Sequence, residues 1–279
     1  MKHLHDHLDI IKADGSSEQF STRKLMRSLR KAGATPDQAQ QIFENLQETI
    51  NEGMSSKQLE RYAFKQLKQL RHGLAARYQL KRAIMELGPS GYPFESLITE
   101  LFRFKGYQVQ TGKVLKGCCV EHEVDVIAQT DDQLILVECK YRNIPGFKCD
   151  VKVPLYIRSR FEDLRPKQVQ NGQRFEGWIA TNARFSGDAM KYGECVGLKL
   201  LSWDYPQHNS LRHWIDNSHL YPLTILTQLT KTQKQTLLAE GLILCQDLVD
   251  KPKMLKHIGL DAHQRINILE ECELLSKGL

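Results

Sequence analysis

Asp125, Glu138 and Lys140 are the residues whose types and spacing could carry a reaction. The stretch 134–141 reads as a strand, in which alternate side chains point to opposite faces. Ile135, Val137 and Cys139 then share one face, and Leu134, Leu136, Glu138 and Lys140 the other. A strand apolar on both faces is normally central and buried. A carboxylate and an ammonium at its end are costly unless something pairs with them. Asp125 interrupts a second apolar run, 124–128, and the short turn at 130–133 would fold the two runs into an antiparallel pair with Asp125 near Glu138. Two such carboxylates offer hard oxygen ligands for Mg²⁺ or Mn²⁺, which would polarise a phosphoryl oxygen and acidify a water. Lys140 would orient that water and steady the charge at phosphorus. On spacing alone a structural salt bridge at a strand end fits equally well. E-x-K is a short motif, but Glu138-Cys139-Lys140 is its only occurrence in the chain.

The surrounding elements must hold these groups. Phe94, Leu97, Ile98, Leu101 and Phe102 trace one stripe of an amphipathic helix ahead of the strands. Further strands are expected at 107–115, 177–181 and 198–203, with helices at 153–164 and 187–195. Alternation of this kind makes an α/β domain with a mixed sheet. Upstream, two short extended runs, 8–12 and 18–20, flank Asp14-Gly15, a hairpin signal. Ser21 can cap a helix carrying Leu25, Met26, Leu29 and Ala32. Thr35-Pro36 opens another, with Ala39, Ile42, Phe43 and Leu46 inward. Ser55 and Gln58 form a capping box before a third, and a fourth spans 75–87. Gly88, Pro89, Ser90 and Gly91 then break the pattern. The tail is helical at 226–240, 245–249, 252–258 and 262–276. These breaks divide the chain into 1–90, 91–210 and 220–279.

Bulk properties narrow the classes. The chain has 279 residues, 41% hydrophobic and 26% charged, enough for several ordinary folded domains. A net charge of +6 favours a polyanionic partner. Seven cysteines, an odd number without a C-x-x-C pair, read as reduced thiols, and a cytoplasmic location is expected. No apolar run is long enough for a membrane helix. No G-x-x-x-x-G-K-[ST] occurs, which excludes a P-loop ATPase. His3, His5 and His7 read as solvated terminal residues, and the spacing of Cys118, Cys119 and His122 fits no common zinc site.

The run 92–142 resembles the restriction-endonuclease family of Mrr-type proteins in the PD-(D/E)xK superfamily. The matching residues are Phe94-Glu95 with Leu97-Ile98, Gly106-Tyr107 with Val109, 124–128 (VDVIA) and Glu138-Cys139-Lys140-Tyr141, and 178–204 resembles that family's closing strand–helix–strand. The likeness implies Asp125, Glu138 and Lys140 as catalytic residues, with Asp125 and Glu138 holding the metal. It adds Glu95 as a further acidic residue and Gln168 or Gln170 as a match to a helix glutamine. Many members carry glycines before the Asp. Here Glu121-His122-Glu123 stands there, a bulkier and more acidic entry. Glu123 is either an additional ligand or a solvated residue.

The segment 8–88 resembles the ATP-cone, the nucleotide-binding module of ribonucleotide reductases and their repressor. The resemblance rests on Ile11 through Gly15, Glu18 with Phe20, Lys24-Leu25, Arg27-Ser28, Gly53-Met54-Ser55-Ser56 and Ala76-Arg77-Tyr78. It implies ATP or dATP as an effector near Lys12, Glu18, Lys24 and Ser56. The Arg usual after the strand Lys is Ala13 here, which removes one cation. Around 237–260 the chain resembles a helix-hairpin-helix module, with Gly259 in the hairpin, and a packing or dimerisation domain fits the same residues.

The fold expected is therefore α/β: a central mixed-sheet domain of restriction-endonuclease type, an N-terminal hairpin-plus-helical-bundle ATP-cone, and a small all-helical C-terminal domain. The function expected is a Mg²⁺-dependent endonuclease acting on double-stranded DNA as a homodimer or higher oligomer, regulated by an adenine nucleotide. The alternative is a non-catalytic, nucleotide-sensing DNA-binding regulator. Retention of all three signature residues favours the enzyme.

Overall fold

The computed structural model describes residues 8–12, 15–144, 146–170 and 172–276. His3, His5, His7, Ala13 and Asp14 lie outside them. Strands β1 (Asp9–Ile11) and β2 (Ser17–Gln19) form the expected antiparallel hairpin. Helix α1 (Thr22–Lys31) starts at Ser21, whose side chain accepts from the Lys24 N–H. Helices α2 (Pro36–Gln47) and α3 (Ser56–Leu70) both open with capping boxes, Thr35 with Gln38 and Ser55 with Gln58. The stripe Ala39, Ile42, Phe43 and Leu46 is buried, with Leu25 and Leu29 facing it.

The single helix expected at 75–87 is two. Helix α4 (His72–Tyr78) ends at Gln79, and α5 (Leu80–Met85) restarts there. The break lies where the chain passes between cores. Leu74 and Ala75 pack in the N-terminal core, whereas Ala76, Leu80, Ala83, Ile84 and Leu87 pack in a second core built on the central sheet. No one straight helix presents a single stripe to both. Gly88 is also anchored: its N–H donates to Tyr141 Oη at 3.0 Å, and that hydroxyl donates to the Met85 carbonyl at 2.6 Å. The segment after α5 is thus tied to the residue following Lys140.

Helix α6 (Tyr92–Phe104) buries Phe94, Leu97, Ile98, Leu101 and Phe102, all at 1% exposure or less. Each such side chain contributes about 1.5–3 kcal/mol relative to exposure. Strands β3 (Gln108–Lys116), β4 (Glu121–Gln129) and β5 (Gln133–Lys140) form an antiparallel meander. After the two-residue strand β6 (Lys148–Cys149), helix α7 (Lys152–Gln168) crosses over to β7 (Arg174–Thr181), parallel to β5. The two-residue β8 (Arg184–Phe185) pairs with β6, and α8 (Gly187–Val196) leads to β9 (Lys199–Leu201). The sheet order is β3-β4-β5-β7-β9, with β5, β7 and β9 parallel, which makes it mixed.

Strand β5 is buried on both faces as its pattern requires. Ile135, Val137 and Cys139 join the core under α6, and Leu134 and Leu136 join the core under α7. Helix α9 (Leu211–Ser218), a 3₁₀ turn (Leu223–Ile225), and helices α10 (Lys231–Ala239), α11 (Cys245–Asp250), α12 (Met254–His257) and α13 (Ala262–Ser276) complete the chain. Helix α10 begins after Thr230, whose capping box with Gln233 fixes the start, and not at 226. Among the described residues no helix is long and apolar enough to cross a membrane.

Candidate active site

The site begins as an irregularity in β4. Paired residues run from Gln129↔Leu134 to Val126↔Val137, and there the ladder with β5 stops. The next Cys139 N–H is donated to the Asp125 carboxylate, Oδ2 at 2.6 Å. Side-chain alternation breaks at the same residue. Val126 and Ala128 belong to the core under α6, but Val124 belongs to the core under α7. Across the pair, between Thr111↔Val126 and Lys113↔Val124, sits Gly112 with φ +57°. That left-handed conformation suits glycine and lets β3 follow the kink.

Glu138 lies opposite, 4% exposed. Its Oε1 is 2.5 Å from Lys140 Nζ and its Oε2 accepts from Arg160 Nη1 at 2.8 Å. Arg160 Nη2 donates to the Glu123 carbonyl, and its guanidinium lies 5.6 Å from the Tyr156 ring centroid. One arginine of α7 therefore links the buried carboxylate to the kinked strand. The Glu123 side chain is exposed. Glu95, in the first turn of α6, lies close enough to feel the same group of charges without bonding any of them among the described contacts.

The electrostatics follow from this crowding. Asp125 is raised to about 6, first by burial and then by the Glu138 charge, against the Cys139 N–H, Lys140 and Arg160. Glu95 is raised to about 7, first by burial and then by Asp125, Glu123 and Glu138. Lys140 and Arg160 are too few to neutralise Asp125, Glu138 and Glu95, so a divalent cation would relieve the excess. Asp125 and Glu138 supply hard oxygens of the kind Mg²⁺ takes, one or two carboxylates completed by water and substrate. They fit such an ion as a pair. Among the described residues no three His, Cys, Asp or Glu side chains are grouped to hold a metal alone.

The structure thus gathers Asp125, Glu138, Lys140 and Glu95, and keeps the glutamines apart. Gln168 Nε2 donates to the Lys116 carbonyl at 2.8 Å, and Gln170 bonds Gln173 through its backbone. His122 and the Cys119 N–H both bond Asp163, which ties down the β3–β4 turn. Arg160 is the residue missed from the sequence. Its signal was its place on the buried face of α7, beside Ile157, Phe161 and Leu164: a cation on an apolar stripe needs a buried anion.

A second constellation occupies the hairpin. Lys12 Nζ lies 2.8 Å from Glu18 Oε2, and Lys24 Nζ contacts Glu18 Oε1. Those two bonds hold the Glu18 carboxyl down at about 2. The Ile11 N–H donates to the Met54 carbonyl at 3.0 Å, which lays β1 along the entry to α3, where Ser56 begins the helix. Cations and two helix N-termini, after Ser21 and Ser55, so lie around one hairpin, an arrangement suited to phosphates.

Family comparisons divide the chain in the same order. An ATP cone domain matches residues 8–86, a restriction endonuclease domain of the Mrr catalytic type matches 88–205, and an AF1548-like C-terminal domain matches 221–276. The class is therefore a restriction-endonuclease-type catalytic domain preceded by a nucleotide-binding cone. An uncharacterized protein of Archaeoglobus fulgidus is 34% identical over 177 residues, covering 63% of this chain and 98% of the relative. A solved structure described as the protein of unknown function AF1548 shares 32% identity at a TM-score of 0.55, over 68% of this chain and 100% of its own. The chain belongs to this AF1548-like family.

Proposed function

We propose that the chain is a divalent-metal-dependent endonuclease acting on double-stranded DNA, with ATP or dATP as an effector at the cone. The observation that carries this reading is the convergence of Asp125, Glu138 and Lys140 at the β4 kink, where a side-chain carboxylate replaces the strand ladder. Mg²⁺ or Mn²⁺ held by Asp125 and Glu138 would supply Lewis acidity to the phosphoryl oxygen and lower the pKa of a water. Cys139 N–H holds one oxygen of the Asp125 carboxylate, which leaves the other for a metal ion. Lys140 orients the attacking water and offsets charge at phosphorus. Glu95, raised to about 7, is matched to accept that water's proton near neutral pH. Arg160 holds Glu138 in place.

The cone match and the cations at Lys12 and Lys24, with Glu18 and Ser56 beside them, support nucleotide binding. Helix α5 connects that module to the nuclease core through Leu80, Ala83 and Ile84. A nucleotide changes output only if it binds two states of the protein unequally. One site cuts one strand, so a double-strand break calls for two copies, most simply a symmetric dimer. Sedimentation with and without DNA tests the assembly. Plasmid cleavage in Mg²⁺ or Mn²⁺, beside a chelator control, tests the reaction. Nicked or linear product in metal alone supports it, and intact plasmid under all conditions refutes it.

A further inference from the structure

The loop after β5 separates two cavities. The first, about 410 Å³, runs from Lys140 past Arg142 to Ile144 and Phe147. The second, about 330 Å³, shares those last three residues and is walled by Lys81, Lys148, Asn182 and Arg184. Together they make a cleft leading from the site to helix α5. Four cations line its far end, and among the described lining residues none is acidic. Arg184 Nε pairs with Asp204 at 3.0 Å. The cations crowd one another: the Lys81 amine is lowered, first by desolvation and next by Arg184.

This cleft is built. Asn182, 6% exposed, accepts from the Arg142 N–H at 2.8 Å and donates to the Arg142 carbonyl at 2.6 Å. That two-way clamp fixes the loop where it leaves the sheet. The Arg142 guanidinium lies 5.9 Å from the Phe147 ring centroid. Phe147 and Ile144 are nevertheless 55% and 59% exposed. Clustered cations beside an exposed aromatic ring form a surface that suits a nucleic-acid strand, phosphates against the cations and a base or sugar against the ring.

We propose that the cleft between α5 and residues Arg142, Ile144 and Phe147 holds backbone phosphates of the DNA strand next to the scissile bond, through Lys81, Arg142, Lys148 and Arg184. This rests on the nuclease reading only for which bond is cut. Lys81 falls within the cone match, so DNA would touch the nucleotide-binding module directly, and the cone's position would bear on substrate grip. A free nucleotide's phosphates offer the same chemistry, and the test separates the two.

The experiment measures binding of full-length protein to a labelled DNA duplex by fluorescence anisotropy in chelator, where nothing is cut, over a salt series. Lys81→Ala, Arg142→Ala and Arg184→Ala, all at exposed side chains, are compared with Lys65→Ala, exposed on α3 away from the cleft. Circular dichroism confirms folding. Each cleft variant is expected to weaken binding several-fold and to flatten the log–log salt slope by about 0.9, and the triple variant by about 3. ATP affinity by calorimetry stays unchanged. Wild-type affinity and slope in the triple variant, or an equal effect of Lys65→Ala, overturns the proposal. So does loss of ATP binding with DNA binding intact, which would give the cleft to a nucleotide. Because binding is read without metal, loss of binding in the variants supports the cleft even if the wild type fails to cleave.

Discussion

The crowding at the site has a measurable cost. Replacing Asp125 by Asn keeps the shape and the oxygen that accepts from Cys139 N–H, but removes the charge. Asp125 is raised from 3.8 to about 6. At about 1.36 kcal/mol per unit, that shift corresponds to roughly 3 kcal/mol of destabilisation when the group is ionised. Solvent screening of a half-buried carboxylate reduces this to about 1–2 kcal/mol. The sign follows from proton linkage: the folded state holds its proton more tightly than the unfolded state. Stability is therefore lost as pH rises from 3.8 through about 6, and the penalty is complete above that. Asp125→Asn should stabilise the metal-free protein at pH 8 by about 1–2 kcal/mol, and by about half that at pH 5. Trp203 and Trp214 are buried in the core under α6, and Trp178 packs against it. Tryptophan fluorescence in urea with chelator therefore reads this domain. Millimolar Mg²⁺ should reverse the order, because it binds the wild type better. A variant less stable than wild type at pH 8, or a gap that widens on acidification, would refute the reasoning.

Arg160→Ala should destabilise the protein by about 3 kcal/mol, since it strands one oxygen of a carboxylate 4% exposed; urea denaturation checks it. Arg160→Lys should not recover that loss, because one ammonium cannot reproduce the two-nitrogen bridge from Glu138 to the Glu123 carbonyl. In Gly177→Ala the new Cβ would lie 2.5 Å from Phe161 Cδ2 and 2.9 Å from Leu198 Cδ2. The overpacking should cost about 1–3 kcal/mol in the same assay. Lys12→Ala with Lys24→Ala should abolish ATP binding by calorimetry and erase any nucleotide effect on cleavage, while cleavage without nucleotide persists.

Elements set by side-chain period were legible in the sequence. The stripes of α2 and α6, and the two faces of β5, follow directly from 3.6- and 2-residue repeats. Capping residues located the starts of α1, α2 and α3. The same chemistry at Thr230 and Gln233 sets the start of α10, later than the 226 expected from the sequence. Helix α9 is short, and only its eight residues carry the stripe Leu211, Trp214, Ile215 and Ser218. The break at Gln79 depends on two separate cores competing for one segment, which no local pattern states. At the site, the approach of Asp125 to Glu138 could be argued from a short turn between two strands. The replacement of a ladder bond by the Asp125 side chain, and the arrival of Arg160 from α7, depend on tertiary packing. Only a cation on a buried helical stripe hinted at the latter.

The central claim is that Asp125, Glu138 and Lys140 form a hydrolytic site. Its most direct test is cleavage of supercoiled plasmid by the wild type and by Glu138→Ala, purified identically, in Mg²⁺ or Mn²⁺ and in chelator. Glu138→Ala should still bind DNA, since most affinity comes from phosphate contacts elsewhere. The account predicts cleavage by the wild type in metal, none in chelator, and none by Glu138→Ala under any condition. Wild-type rates in Glu138→Ala would contradict the site assignment, and an inert wild type that still binds DNA would leave a nucleotide-sensing DNA-binding protein in place of a nuclease.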